Sequence, residues 1–218
     1  MSDAAPRRFT DRLPMAALIA ANLAPVLGVL LFDWNVFLVL VLFWVENVII
    51  GMLNLLKMAL ASGPGSLWPM KFFLIPFFTV HYGGFAAGHG VFVFGFFMEG
   101  QGDVPGLEDF LPWFLELMAE HQLFFAVGAL LISHLVSFVV NYLLRGEYRQ
   151  TSESQLMMAP YGRVAVLHIT IIAGGFAVMA LGQPIWALLI LIALKIGIDL
   201  KAHSRSHRKI QEMDKVRA

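Results

Sequence analysis

No cysteine occurs anywhere in the chain. Disulfides, thiolate metal sites, iron–sulfur clusters and covalent c-type haem attachment are therefore all excluded. Charge is scarce as well: 14% of the 218 residues are Asp, Glu, Lys or Arg, against 59% hydrophobic and a mean hydropathy of +0.75. Soluble domains carry about 25% charged residues, so this balance points to a single polytopic membrane domain, residues 1–218. Net charge is zero, and no nucleic-acid partner is expected. No internal repeat of the inverted-repeat transporter kind is visible.

The local absence of one sign of charge sets the topology. Six apolar segments stand out, residues 13–32, 36–56, 72–98, 123–144, 164–181 and 185–200, and runs of this kind predict transmembrane helices. With a cytoplasmic N-terminus, the outer loops carry Asp33, Glu99, Asp103, Glu108, Asp109, Glu116 and Glu120 and no Lys or Arg. All 15 basic residues then fall on the inner side. The positive-inside rule predicts an all-α bundle of six transmembrane helices, both termini cytoplasmic, multi-pass in a cell inner (plasma) membrane. Residues 1–12 read as a cytoplasmic arm, 13–200 as the bundle and 201–218 as a basic tail. The first segment is expected to remain as a span rather than be cleaved as a signal peptide, because Asn22 and Pro25 interrupt it.

Between the segments, Asp33-Trp34 is expected as a tight outer turn, with its indole at the interface. Residues 62–69 (SGPGSLWP) form an inner Gly/Pro turn. The run RGEYRQTSESQ reads as a solvated cytoplasmic loop with no chemistry of its own. In the long outer loop, Leu107, Phe110, Leu111, Phe114, Leu115 and Met118 recur at helical spacing. They predict a short amphipathic helix on the outer membrane surface, in which Pro112 fits only the first turn.

The stretch 70–98 reads as the central helix of the bundle, with His81 and His89 inside it. Gly84 and Gly88 form a small-residue face where a neighbouring helix is expected to approach closely. In the second segment Asn47, Gly51 and Asn54 share one face and Glu46 lies on the next. The fourth holds Ser133, His134, Ser137 and Asn141, with His134 and Asn141 nearly eclipsed on an ideal helix. His168 opens the fifth segment, and Asp199, His203 and His207 follow one another at i, i+4 spacing around the end of the sixth.

Ionisable groups inside a membrane are costly and usually functional. Imidazole and carboxylate are the usual ligands of zinc or iron where no thiolate exists. Glu46, His81, His89, His134 and His168 are accordingly the candidate ligands of a divalent metal ion, with Asp199, His203 and His207 a weaker set. In a metal-dependent membrane enzyme Glu46 would be the candidate catalytic group, shuttling a proton. The alternative is a transporter or channel for protons, ions or small solutes that uses the same residues; the plain reading is hydrogen-bonded packing. Haem fits poorly, since His81 and His89 are out of phase on a helix. Glu46 lies about 18 residues before Pro64 and His81 about 17 after it, so the two are expected at one height and in one site. Besides membrane lipid, anionic head groups are expected at the basic tail, and a homo-oligomer is compatible with the chain.

The pairing of Trp44-x-Glu46-Asn47-x-x-x-Gly51 with Phe77-Phe78-x-x-His81-Tyr82-Gly83-x-Phe85-x-x-x-His89-Gly90 resembles a family of bacterial and archaeal multi-pass membrane proteins classed as a domain of unknown function. That resemblance covers nearly the whole chain and implies a six-helix membrane protein, without a reaction. His203-x-x-x-His207 is similar to a motif of the ceramidase and adiponectin-receptor group of intramembrane zinc hydrolases. Here the motif lies beyond the last of six segments rather than within seven, so their activity does not carry over.

Overall fold

The computed structural model describes residues 25–98, 105–106, 108–162, 164–165 and 168–169. Asp199, His203, His207, the basic tail and nearly all of the fifth and sixth segments lie outside the described residues. By contacts, Met1–Ala165 is one compact unit and Val166–Ala218 another, and helices α1 to α5 all belong to the first.

No strand occurs among the described residues. Helix α1 is Val36–Leu60, α2 Trp68–Phe97, α3 Phe110–Glu120 and α4 Leu123–Ser137, continued by a π-helix, Phe138–Leu144. A short 3-10 turn, Glu147–Arg149, leads to α5, Glu153–Met158. Among the described residues two helices, Val36–Leu60 and Leu123–Leu144, are long and apolar enough to cross a membrane. At 30 residues α2 reaches about 45 Å, but its glycines, histidines and Lys71 dilute its apolar character.

Local chemistry explains the helix ends. Asp33 takes a left-handed φ of 52°, closing the expected tight turn, and the Asn35 side chain caps α1 by accepting from the Leu38 N–H at 3.0 Å. The other end of α1 stops before Gly63-Pro64-Gly65, where its last carbonyls are answered from α2: Lys71 Nζ donates to Ala59 O at 2.9 Å and Ala61 O at 2.5 Å. Pro69 sits in the first turn of α2, where its missing N–H costs nothing. Likewise α3 begins at Phe110, which puts Pro112 in its first turn as the sequence requires.

Among the described residues α1 is the more deeply buried helix and α2 the more exposed. The first half of α1, Val36 to Phe43, is buried throughout, and the helix packs against α2, α4 and α5. By contrast Phe72, Val80 and Val91 of α2 are exposed, and no atom of the described residues lies within 4 Å of a Cβ built on Gly84 or Gly88. The expectation that 70–98 is central and that its Gly84/Gly88 face meets a helix is thus not met among the described residues. An unbroken run of Val, Leu and Phe, apolar all round, can be covered on every side.

At the end marked by Trp34, its indole donates to His121 O at 2.9 Å, tying the entry of α1 to the α3–α4 turn. Helix α3 packs through Phe110, Trp113 and Phe114 around Phe94, with ring centroids 5.3, 5.7 and 6.1 Å away. Leu117 and Met118 are buried beneath it, while Leu111 and Leu115 of the apolar stripe face away.

At the Gly63 end the polar loop after α4 is not a solvated turn. Ser62 and Gly63 donate backbone N–H groups to Tyr148 O at 2.7 Å and Thr151 O at 2.9 Å, and Asn54 donates to Leu156 O at 2.9 Å. Ser152 and Glu153 are buried. This corrects the sequence reading: a loop rich in polar side chains is held in the structure because the turn after α1 offers it unpaired backbone donors.

Candidate functional site

The two motif stretches of α1 and α2 interlock. Trp44 lays its indole over Gly90, where a Cβ would come within 3.1 Å of the ring, and its Nε1 donates to Ala86 O at 2.7 Å. One turn on, Tyr82 donates its hydroxyl to Asn47 O at 2.9 Å, and its ring lies against Gly51, whose missing Cβ makes the space. The close-approach glycines are therefore Gly51 and Gly90. Sequence spacing did not single out Gly90, because a lone glycine on a helix carries no sign of what will sit over it.

That lock fixes heights and rotations. Since Asn47 meets Tyr82, their neighbours Glu46 and His81 do lie at one level, as counting from the turn predicts. Their directions differ, however. Glu46 turns toward α4, where its Oε1 lies 3.3 Å from His134 Nε2, and the two side chains are 5% and 14% exposed. His81 faces another way, its Nδ1 2.5 Å from the Tyr161 hydroxyl, stacked on Phe77 with centroids 5.3 Å apart. Tyr161 was missed by sequence reasoning, since it lies in what reads as loop before the fifth segment.

His89 is buried with Nδ1 2.9 Å from Phe85 O, a turn back on its own helix. His168 lies in a helical stretch of the second unit. Among the described residues no three His, Asp or Glu side chains gather as a metal site would require; of the five principal candidates, Glu46 and His134 are brought together.

Below the pair, Ser133 is buried and Asn141 Nδ2 donates to Ser137 Oγ at 3.2 Å. Asn141 Oδ1 is buried with no hydrogen-bond partner among the described residues. The π-helix starts at Phe138, so each residue from there on advances less around the axis than in an α-helix. Asn141 thus lags behind the position under His134 that ideal geometry assigns it. π-Turns of this kind recur at functional sites.

Glu153 also escaped the sequence reading, although Ser152-x-x-Gln155 is a capping-box pattern and places it in a first turn. It is fully buried, and its Oε1 accepts from the Leu67 N–H at 2.8 Å. Burial pushes its carboxyl up, but the Ser66 hydroxyl, the Leu67 and Glu153 backbone N–H groups and the Lys71 charge together outweigh burial and hold it below the ordinary range.

A family profile matches residues 4–216, nearly the whole chain. The chain belongs to the family of unknown function DUF6498. That membership spans both locked helices and both members of the Glu46–His134 pair, and brings no assigned reaction. No curated protein and no solved structure matches the chain significantly.

Proposed function

We propose that this member of the family is a six-span inner-membrane protein with both termini cytoplasmic, in which Glu46 and His134 form an intramembrane proton-binding pair on a pathway for protons or for ions or small solutes. The observation that carries this reading is the buried 3.3 Å contact between Glu46 Oε1 and His134 Nε2 on two different helices. An isolated carboxyl or imidazole would be expensive in hydrocarbon, and each relieves the other. Across such a contact an imidazole N–H can donate to a carboxylate oxygen. Ser133 and Ser137 add polar groups beside it on α4, and Asn141 donates to Ser137 from the π-helix beyond.

Other features support the membrane reading. Phe125 and Ile132 of α4 and Val139 of the π-helix that continues it are exposed, as a lipid-facing stripe would be. Glu108, Asp109, Glu116 and Glu120 cluster at the Trp34 end, and Lys57, Lys71, Arg145 and Arg149 at the Gly63 end, the distribution the positive-inside rule assigns to outside and inside.

A divalent ion is the second reading, favoured by one distance. Nitrogen and oxygen ligands about 2.0–2.2 Å from zinc at a tetrahedral angle stand about 3.4 Å apart, close to the 3.3 Å seen. A zinc or iron site would then need further ligands from beyond the described residues.

The test is proton flux into liposomes carrying the purified full chain, with elemental analysis of the same preparation. Glu46→Gln and His134→Ala are expected to abolish flux while the protein stays folded. Unchanged flux in Glu46→Gln would end the proposal. Stoichiometric zinc or iron, lost in both variants, would transfer the pair to the metal reading.

A further inference from the structure

A groove of about 510 Å³ runs along the start of α2, lined by Trp68, Pro69, Lys71, Phe72, Ile75 and Pro76. Its walls are carbon except at the Lys71 end. Trp68 and Phe72 are 80% and 85% exposed, the most open large apolar side chains described. From Trp68 to Pro76 the groove follows about 12 Å of helix, room for a stretch of extended hydrocarbon chain.

Lys71 does not swing freely over this groove. Its ammonium is anchored by the Ala59 and Ala61 carbonyls and stands 6.0 Å from the Trp68 ring centroid. Three N–H bonds are available to a lysine, and two point at those carbonyls, which leaves one donor for a ligand at the mouth. Glu153 answers part of the Lys71 charge from the buried side. Lys57, Arg145 and Arg149 leave this end of the unit positive.

We infer that the Lys71 groove is a seat for one anionic glycerophospholipid of the inner leaflet, with an acyl chain against Phe72, Ile75 and Pro76 and the phosphate at Lys71 Nζ. Charge complementarity and position select this occupant: a fixed ammonium at the mouth, hydrocarbon-lined walls, and a tryptophan where interfacial indoles sit. None of the groove's lining residues belongs to the basic tail, residues 201–218. The site rests on the proposed membrane topology but not on the Glu46–His134 pair, so loss of either leaves the other standing.

The experiment uses the full chain purified in detergent and depleted of lipid, then offered phosphatidylglycerol or phosphatidylcholine of identical acyl chains. Retained lipid is counted by native mass spectrometry. One basic group near the surface predicts about five-fold preferential retention of phosphatidylglycerol. Lys71→Gln should remove the preference, and Ile75→Trp, which fills the groove while keeping the lysine, should lower retention of both lipids. Should Lys71→Gln unfold because α1 loses its cap, Ile75→Trp and Phe72→Ala decide, both expected to lower retention of the two lipids, and undiminished retention in both overturns the inference. Equal retention of the two lipids overturns the inference, as does undiminished retention in Ile75→Trp. Failure to retain either lipid would overturn the inference and count against the membrane topology too, whereas unchanged proton flux in Glu46→Gln touches only the pair.

Discussion

Replacing Gly51 by alanine adds a single carbon at the tightest point between α1 and α2. A Cβ there would overlap the Tyr82 ring, with Cδ1 only 2.8 Å away. The ring has little room to retreat: it is buried, stacked on Phe78 at 4.8 Å, and tethered through its hydroxyl to Asn47 O. Overpacking of this kind costs about 1–3 kcal/mol. Loss of the tyrosine hydrogen bond adds about 1 kcal/mol, and the better helix propensity of alanine returns about 0.5–1 kcal/mol. The net loss is about 2 kcal/mol, a fall in Tm of roughly 4–8 °C for a chain this size. Thermal unfolding in detergent, followed by tryptophan fluorescence, measures it. Gly84→Ala is the matched control, since nothing described lies within 4 Å of its Cβ; its Tm should stay level or rise slightly. Equal stability of Gly51→Ala and the parent, or an equal loss in Gly84→Ala, would refute the packing argument.

Glu153 predicts an acid-side stability loss. Its folded carboxyl is held below the ordinary value of 4.5, so its contribution is complete above that value and disappears as pH falls through the lower folded one. Melting curves across this acid window should flatten in Glu153→Gln, and an unaltered profile would show that the carboxyl is not the cause. Topology can be mapped without removing background thiols, because the chain has no cysteine. A cysteine at Glu116 should react with an impermeant thiol reagent on intact cells and one at Gln150 should not; the reverse pattern would invert the orientation.

How far the sequence reaches depends on which degree of freedom is asked about. Long apolar runs, Asp33-Trp34, the Gly/Pro turn and Pro112 place α1 to α3 and the start of α4 to within about a turn, and equal counting from Pro64 sets Glu46 level with His81. Rotation about each axis is another matter. Helix α1 is apolar on nearly every side, so no stripe declares which face meets which partner; its rotation, with Trp44 on Gly90 and Tyr82 on Gly51, leaves Glu46 toward His134. Residues such as Glu153 and Tyr161 look like loop because their partners, the Leu67 N–H and His81, lie about 80 positions away in the chain. The π-turn after Ser137 has no marker in its composition.

The hydrogen bonds that join the turn after α1 to the loop after α4 impose an order on biogenesis. Ser62, Gly63 and Leu67 emerge from the ribosome some 86 residues before Tyr148, Thr151 and Glu153, which accept their N–H groups. Throughout that interval the α1–α2 hairpin waits with its donors turned to water or to the insertion machinery. A chain halted after α3 would therefore present an open hairpin, its Gly63 turn exposed to proteases. Co-expressing residues from α4 onward as a separate fragment should close that turn again and protect it.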